Sequence, residues 1–491
     1  MVYLNNAATS WPKPSCVNEA VQACLMDTPA SQFRGGSAIL KKDVEVLCRE
    51  AMGELLGIAE SERIFFTSGA TESLNTILCG LDYGKAGNSI FVTQTEHNSV
   101  LRPLMNQSAL KEHPVKIISC TAIGAVTEEL LEQALEEERQ DGRQAAALVV
   151  NHCSNVTGYV QDMDMISRFA KKNNLCLIVD VSQSAGCIPV YADQWKADAV
   201  IFTGHKSLMG MQGSGGFYIR EGISLKPLKY GGTGRNSKQL TYEDEDYEYE
   251  VGTQNLPGIT ALLAGVNFVR ETGVDMIHKK EMALMEKLYE ALEKIPGIQV
   301  YGNSKECRGP VMSLNFKGLT ASDAAYILES GYGITVRAGL HCSPLIHEAM
   351  GTQKNGTIRI SISYFTKEKD IQEFLTAAEQ IAGSVAGRST GEKFMKITGK
   401  RPSREKCAES GWFATDYLMD VPIDREFILK LKSLGGFVYL DMLKQPFFKI
   451  ENNYYMIKGI EGNDYFRIAV HGKHEDELAK LEAFILNCVK E

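Results

Sequence analysis

Lys206 lies in FTGHKS (202–207), and Asp180 closes the apolar run LCLIVD (175–180) with Gln183 three positions further on. An amine and a carboxylate at two strand ends suit a cofactor that has an aldehyde and a pyridine ring. The amine closes on the aldehyde as a Schiff base, while the carboxylate keeps the ring nitrogen protonated so that the ring accepts electrons. Pyridoxal phosphate has both needs. A lysine after Gly-His is by itself an ordinary turn residue, and it is Asp180 and Gln183 that favour the chemical reading.

Other strand ends add to it. TSGATESLN (67–75) follows the run IFFT and opens a helix, so the amides of Gly69, Ala70 and Thr71 and the Thr71 hydroxyl suit a phosphate, although any strand-to-helix turn looks similar. His97, in TEHNSV (95–100), could stack on a flat ring, and Gln183 could bond its phenolic oxygen. Asn155, in NHCSNVTG (151–158), is a further strand-end polar group, and Thr203 and His205 flank Lys206 and could complete a phosphate site. Cys342, in VRAGLHCSPL (336–345), is either a small buried hydrophobe or a nucleophile, and nearby Arg337 and His341 would lower its pKa.

These residues need a scaffold that gathers strand ends. Between about 61 and 220 the runs IFFT (64–67), SIFVT (89–93), VKIIS (115–119), AALVV (146–150), LCLIVD (175–180), AVIFT (199–203) and GGFYI (215–219) alternate with amphipathic segments. Continuous apolar runs of that length predict a mostly parallel sheet covered on both faces, with ligands beyond its carboxyl ends. After VGTQNLPGI (251–259) the pattern predicts a long helical stretch to about Lys294, strands near Val311–Phe316 and Thr357–Ile362, and a helix from about Lys367. That makes a second, smaller α/β domain.

AGSVAGRSTGEK (382–393) reads as a linker. Beyond it, GGFVYLDML (435–443), FFKIENNYYMIKGI (447–460) and YFRIAVHG (465–472) read as strands, followed by a helix from about Glu475. The domain reading is therefore a large cofactor-binding domain at 15–260, a small domain from 1–14 with 261–382, a linker at 383–393 and an α+β module at 394–491.

With 491 residues, 44% hydrophobic, the chain is large enough for two or three domains. Its net charge of -9 gives no global pull toward nucleic acid or an anionic membrane. MVYLNNAATSWPKP (1–14) lacks the features of a leader, no apolar run reaches eighteen residues, and the 12 cysteines contain no C-x-x-C pair. The expectation is a cytoplasmic protein with free thiols, no membrane partner and no metal.

In order, YLNNAATS, GATESLN, TEHNSV, SNVTG, VDVSQSAG, TGHKS, EVGTQN and VRAGLHCSPL resemble the class V aminotransferase group, and within it the type II, selenocysteine-lyase-like cysteine desulfurases. The resemblance spans about 2–382 and implies the type I fold of pyridoxal phosphate-dependent transferases, with a seven-stranded large-domain sheet. It makes Lys206 the Schiff-base lysine, Asp180 the ring-nitrogen partner, His97 the stacking residue and Gln183 the phenolic-oxygen partner. It likewise makes Ala70, Thr71, Thr203 and His205 phosphate-site residues and places Asn155 beside the ring. Thr253 would reach the phosphate of a second subunit, which implies a homodimer. Arg359, with Arg337 and Asn155, would bind substrate, and Cys342 would carry a persulfide.

The resemblance implies L-cysteine conversion to L-alanine with sulfur passed to an acceptor protein. L-selenocysteine as substrate, another C–S lyase activity and a sulfur-trafficking scaffold with a vestigial site are the alternatives. The 17 positions from Cys342 to Arg359 leave room for a short ordered loop, the type II arrangement. Two departures stand out: Asn5 where the family usually has Asp, and Phe33 where many type II enzymes have His. The acidic run TYEDEDYEYE (241–250) reads as a solvated loop or a docking patch for a basic acceptor. Cys407 and Cys488 are ordinary thiols or sulfur acceptors, and His471 and His474 have metal-like spacing without companion thiols.

Overall fold

The computed structural model describes residues 1–27, 43–107, 110–232, 240, 249–303, 305–384, 397–403, 412–474 and 476–490, with side chains up to 486. Phe33, Cys407, the acidic run up to 248, the linker from 385 and the side chain of Cys488 lie outside the described residues.

Seven strands form the large sheet in the order Ile64–Thr67, Gly215–Ile219, Ala199–Thr203, Cys176–Asp180, Ala145–Asn151, Ser89–Thr93, Val115–Ile118. Only Gly215–Ile219 runs against the others. The apolar runs are continuous because both faces are covered. Phe91, Leu148, Val150, Val179 and Val200 point into one core, while Ile90, Val92, Val149, Ile178 and Ile201 point into the other. Alternate residues therefore serve opposite faces, and no position is left for a solvated side chain until the strand ends.

The smaller domain is a four-stranded antiparallel sheet in the order Arg337–Gly339, Thr357–Ser361, Val311–Phe316, Ile298–Tyr301. The strand Val2–Tyr3 pairs in parallel with Ile334–Thr335, so the chain's start joins this half of the molecule. The long helical stretch expected up to Lys294 is in fact two helices, Leu256–Thr272 and Val274–Leu292. Gly273, with φ +86°, separates them in a backbone conformation that stops the first helix.

The C-terminal module is a six-stranded antiparallel sheet, in the order Ile397–Pro402, Trp412–Met419, Tyr465–His471, Tyr455–Ile460, Phe447–Glu451, Gly436–Leu440. FFKIENNYYMIKGI is a hairpin rather than one strand, turned at Asn452, whose side chain accepts the Tyr454 and Tyr455 amides at 2.8 and 3.0 Å. One face packs on its own helices through Phe427, Ile428, Ile457, Phe466 and Ile485. On the other side Leu440, Leu443, Phe447 and Ile460 join the core of the small domain, against the helix Ala321–Tyr332. Charges cross the same contact: Lys449 Nζ lies 2.8 Å and Lys458 Nζ 3.9 Å from the Asp323 carboxylate. His471 packs on Trp412 and His474 on Tyr454, and among the described residues no group of three His, Cys, Asp or Glu could hold a metal.

Candidate active site

The carboxyl ends of the large sheet open into a cavity of about 430 Å³. Ala70, Thr71, His97, Asn155, Asp180, Gln183, Thr203, His205, Lys206, Arg337 and Arg359 all line it. Sequence reasoning had nominated each of these separately, and the fold brings them together.

Asp180 ends its strand buried, and its Oδ1 accepts the Ser182 amide at 2.8 Å. Burial raises its carboxyl pKa, an effect opposed by that bond and by Lys206. Burial also pushes the Lys206 ammonium down to about 8, against the pull of Asp180 and with the push of Arg359 and Arg337. An amine easily freed of its proton is what carbonyl chemistry requires.

His97 caps the helix Asn98–Asn106, its Nδ1 accepting the Ser99 amide at 3.1 Å. That bond assigns the ring proton to Nε2. Burial and the cations Lys206, Arg337, Arg359 and Arg102 lower its pKa to about 3, so the ring is neutral and suited to stacking. Thr71 Oγ1 lies 2.9 Å from Ser99 Oγ, which ties the first turn of Ala70–Gly80 to this helix. A Cβ on Gly215 would meet Gly69 Cα at 2.6 Å, so the neighbouring strand holds the helix start in place only because Gly215 has no side chain.

Arg359, 1% exposed, donates from Nη1 to the Asn155 carbonyl at 3.1 Å and from Nη2 to Asn5 Oδ1 at 3.2 Å. Its Nε has no partner. Burial and Arg337 lower its pKa to about 9, which marks a cation short of an anion.

Cys342 lines an adjoining cavity of about 420 Å³ that shares Thr71, His97 and Ser99 with the first. Arg337 Nη2 lies 3.1 Å from its sulfur. His341 and Cys342 both adopt positive φ, +55° and +61°. The loop is fixed from outside: Asn155 Nδ2 donates to the His341 carbonyl and Ser343 Oγ to Asn155 Oδ1, each at 2.7 Å, and the Asn98 amide donates to the Cys342 carbonyl at 2.7 Å. His341 does not support the thiolate as expected from its adjacency. It is buried, its Nε2 meets Thr357 Oγ1 at 3.0 Å, and burial and Arg359 hold its pKa well below the usual range, so it is neutral. Arg337 is the cation in hydrogen-bond contact with the sulfur, and Lys206 and Arg359 act on it from further away.

Thr253 is exposed and lies outside the cavity lining. The acidic run ends in packed residues: the Tyr249 hydroxyl accepts the Leu225 amide at 3.0 Å, and Glu250 pairs with Arg49 and accepts the Phe66 amide. At those two positions it is no solvated loop.

Two features went unread in the sequence. Glu96, fully buried beside His97, accepts Thr93 Oγ1 at 2.6 Å and the Asn151 amide at 2.8 Å, and burial and Asp180 push its carboxyl up to about 8. Its place in TEHNSV was the available signal. Asn5, noted only as a departure, is one of the two residues that hold Arg359, the other being Asn155.

The residues fit pyridoxal phosphate and an amino-acid substrate. Lys206, Arg337 and Arg359 line a cavity whose carboxylates are Asp180 and Glu72, the latter paired with Lys229, and Arg359 Nε and His205 Nδ1 are buried without partners. A ligand that brings a phosphate and a carboxylate would supply what these groups lack.

The chain's first three-quarters match known proteins. It is 31% identical over 392 residues to a protein of Methanothermobacter thermautotrophicus described as a probable cysteine desulfurase, with 78% of this chain and 95% of that one covered. A Pyrococcus abyssi protein of the same description is 29% identical over 395 residues, covering 78% and 95%. The apo structure of a cysteine desulfurase from Thermococcus onnurineus superposes with a TM-score of 0.67 at 28% identity, covering 78% of this chain and 94% of that one. The family model for Aminotransferase class-V matches residues 2–374, and the chain belongs to that family.

Proposed function

We propose that this chain is a pyridoxal phosphate-dependent cysteine desulfurase, which moves the sulfur of L-cysteine onto Cys342 and releases L-alanine. The observation that carries this reading is a thiol set 3.1 Å from an arginine, on a fixed loop beside the Lys206–Asp180 cavity. A transaminase has no use for that thiol.

Bound pyridoxal phosphate would supply an electron sink for bonds at the substrate α-carbon. Lys206 would hold it and then carry a proton to and from that carbon. Asp180 would keep the ring nitrogen protonated, Gln183 would meet the phenolic oxygen, and neutral His97 would stack on the ring. Ala70, Thr71, Thr203 and His205 would hold the phosphate, joined by Thr253 of a second copy in a homodimer. Arg359 would grip the substrate carboxylate, with Asn155 fixing both that arginine and the cysteine loop.

The Cys342 thiolate then attacks the cysteine sulfur. An S–S bond forms, the Cβ–S bond breaks, and its electron pair stays on carbon and takes up a proton, so alanine and a Cys342 persulfide form with no external oxidant or reductant. A fixed loop leaves the persulfide in place, so an acceptor protein must come to it. All ten described cysteines are free thiols, which suits the reducing cytoplasm. Among the described residues no helix is long and apolar enough to cross a membrane.

The test is alanine formation from L-cysteine by the purified holoenzyme. Cys342→Ala should keep the cofactor and lose alanine formation, and undiminished desulfuration in that variant would overturn the assignment.

A further inference from the structure

The N-terminal segment crosses the site and touches three of its parts. Asn5 holds Arg359, the Ala7 carbonyl accepts Gln183 Nε2 at 3.0 Å, and residues 9–13 close on the lysine turn. The last contact is dense. The His205 carbonyl accepts from Lys13 Nζ at 2.8 Å, the Ser10 amide at 3.0 Å and Thr9 Oγ1 at 3.1 Å. The Lys206 carbonyl accepts from Ser10 Oγ at 2.8 Å, and Ser10 Oγ in turn accepts from Lys13 Nζ at 2.7 Å.

Those two carbonyls belong to the two peptide planes that flank the Lys206 Cα. Holding both planes fixes the direction in which its side chain leaves the backbone, and only the side-chain torsions stay free. Lys13 is the one cation in this arrangement, and a charged donor to a carbonyl makes a stronger and more directional bond than a neutral one. Burial lowers its ammonium to about 8, which agrees with a group enclosed against the turn rather than waving in solvent.

We propose that Lys13 is a positioning residue for Lys206, acting through the His205 carbonyl and Ser10 to aim the amine at the cofactor aldehyde. This rests on Lys206 being the lysine that holds pyridoxal phosphate. A lysine that merely fastened the N-terminus would matter for stability and not for the rate at which Lys206 meets an aldehyde.

The test uses full-length protein stripped of cofactor. Pyridoxal phosphate is added, borohydride stops the reaction at intervals, and peptide mass spectrometry measures the adduct on Lys206. Lys13→Met, which removes the charge-assisted hydrogen bonds to both the His205 carbonyl and Ser10 Oγ, should slow labelling about tenfold. Lys13→Arg, which keeps a cationic donor, should label within about threefold of the parent, and Ser10→Ala should fall between. Labelling is scored per folded molecule, with thermal midpoints taken for every variant. Parental labelling by Lys13→Met, or Lys13→Arg as slow as Lys13→Met, would sink the proposal, as would a lowered midpoint with an unchanged labelling rate. A parent that labels on Lys206 yet makes no alanine from cysteine would refute the reaction proposed above and leave this inference standing. A parent that labels on another lysine would refute both.

Discussion

Buried charge is handled in opposite ways at the carboxyl ends of the large sheet and on the face of the C-terminal sheet. In the module, Arg467 grips Asp416 with Nε–Oδ1 at 2.7 Å, and Lys449 and Lys458 share Asp323; each of these five groups is at most 7% exposed. Every buried cation there has a carboxylate of its own chain. Arg359 is as deeply buried, yet it meets only the neutral oxygens of Asn155 and Asn5, and the charge that acts on it most strongly is another cation, Arg337. The difference separates structural charge from charge held ready. A buried ion that the chain itself neutralises supports packing, whereas one left short of a partner marks where a ligand must complete the balance.

That contrast can be broken by substitution. Lys206→Ala should show the largest effect, a loss of about 10⁴-fold in alanine formation, because it removes both the attachment point and the proton carrier. Borohydride reduction and peptide mapping should place the adduct of the parent protein on Lys206. Cys342→Ala should follow, with about 10³-fold less alanine but parental binding of cofactor, read from absorbance and turnover together.

On the module side, Asp323→Asn removes the carboxylate that Lys449 and Lys458 share, although Lys449 keeps Glu451 at 2.8 Å, and should cost about 2 kcal/mol, read as a lower denaturation midpoint with near-parental turnover per folded molecule. Arg359→Met should reverse that signature: little change in stability, and KM for cysteine raised about tenfold or more. Loss of stability in the second variant without any change in KM would erase the distinction between the two regions.

The smallest effect concerns Glu96. Its carboxyl ionises near 4.5 in an unstructured chain and at about 8 in the folded one, so between those values the native state binds more protons than the unfolded state. Stability from this group is fully present below about 4.5 and is lost as pH rises toward 8, at about 1 kcal/mol between pH 6 and 7. Glu96→Gln should flatten that part of the stability profile. A parent and variant with parallel pH profiles would show that Glu96 is ionised in the folded protein.

The catalytic half was largely legible because two local rules coincide there. Runs such as AVIFT and GGFYI match the observed strands residue for residue, and Asp180 and Thr203, the polar residues that end two of the apolar runs, line the cavity. What the sequence hid depends on contacts between distant residues. Nothing near Asn5 announces Arg359, 354 positions away, and nothing in WPKP announces the His205 carbonyl. The module was harder for a different reason. Ile397–Pro402 and Trp412–Met419 escaped notice because charged residues such as Arg401 and Asp416 interrupt the apolar alternation, and the pattern does not reveal that Asp416 faces a paired arginine rather than water.

The shared core of the small domain has a consequence for synthesis. Val2 and Leu4 lie in the same apolar cluster as Phe447 and Ile460, so the compartment cannot close until residues synthesised long after Leu4 have emerged. A nascent chain that already contains Lys206, Cys342 and Arg359 still has an unsealed wall, and it exposes apolar surface until the last strands arrive. A premature stop after residue 384 would therefore yield a product with every residue named for the chemistry and a sticky flank, one destined for chaperones and proteases rather than for sulfur transfer.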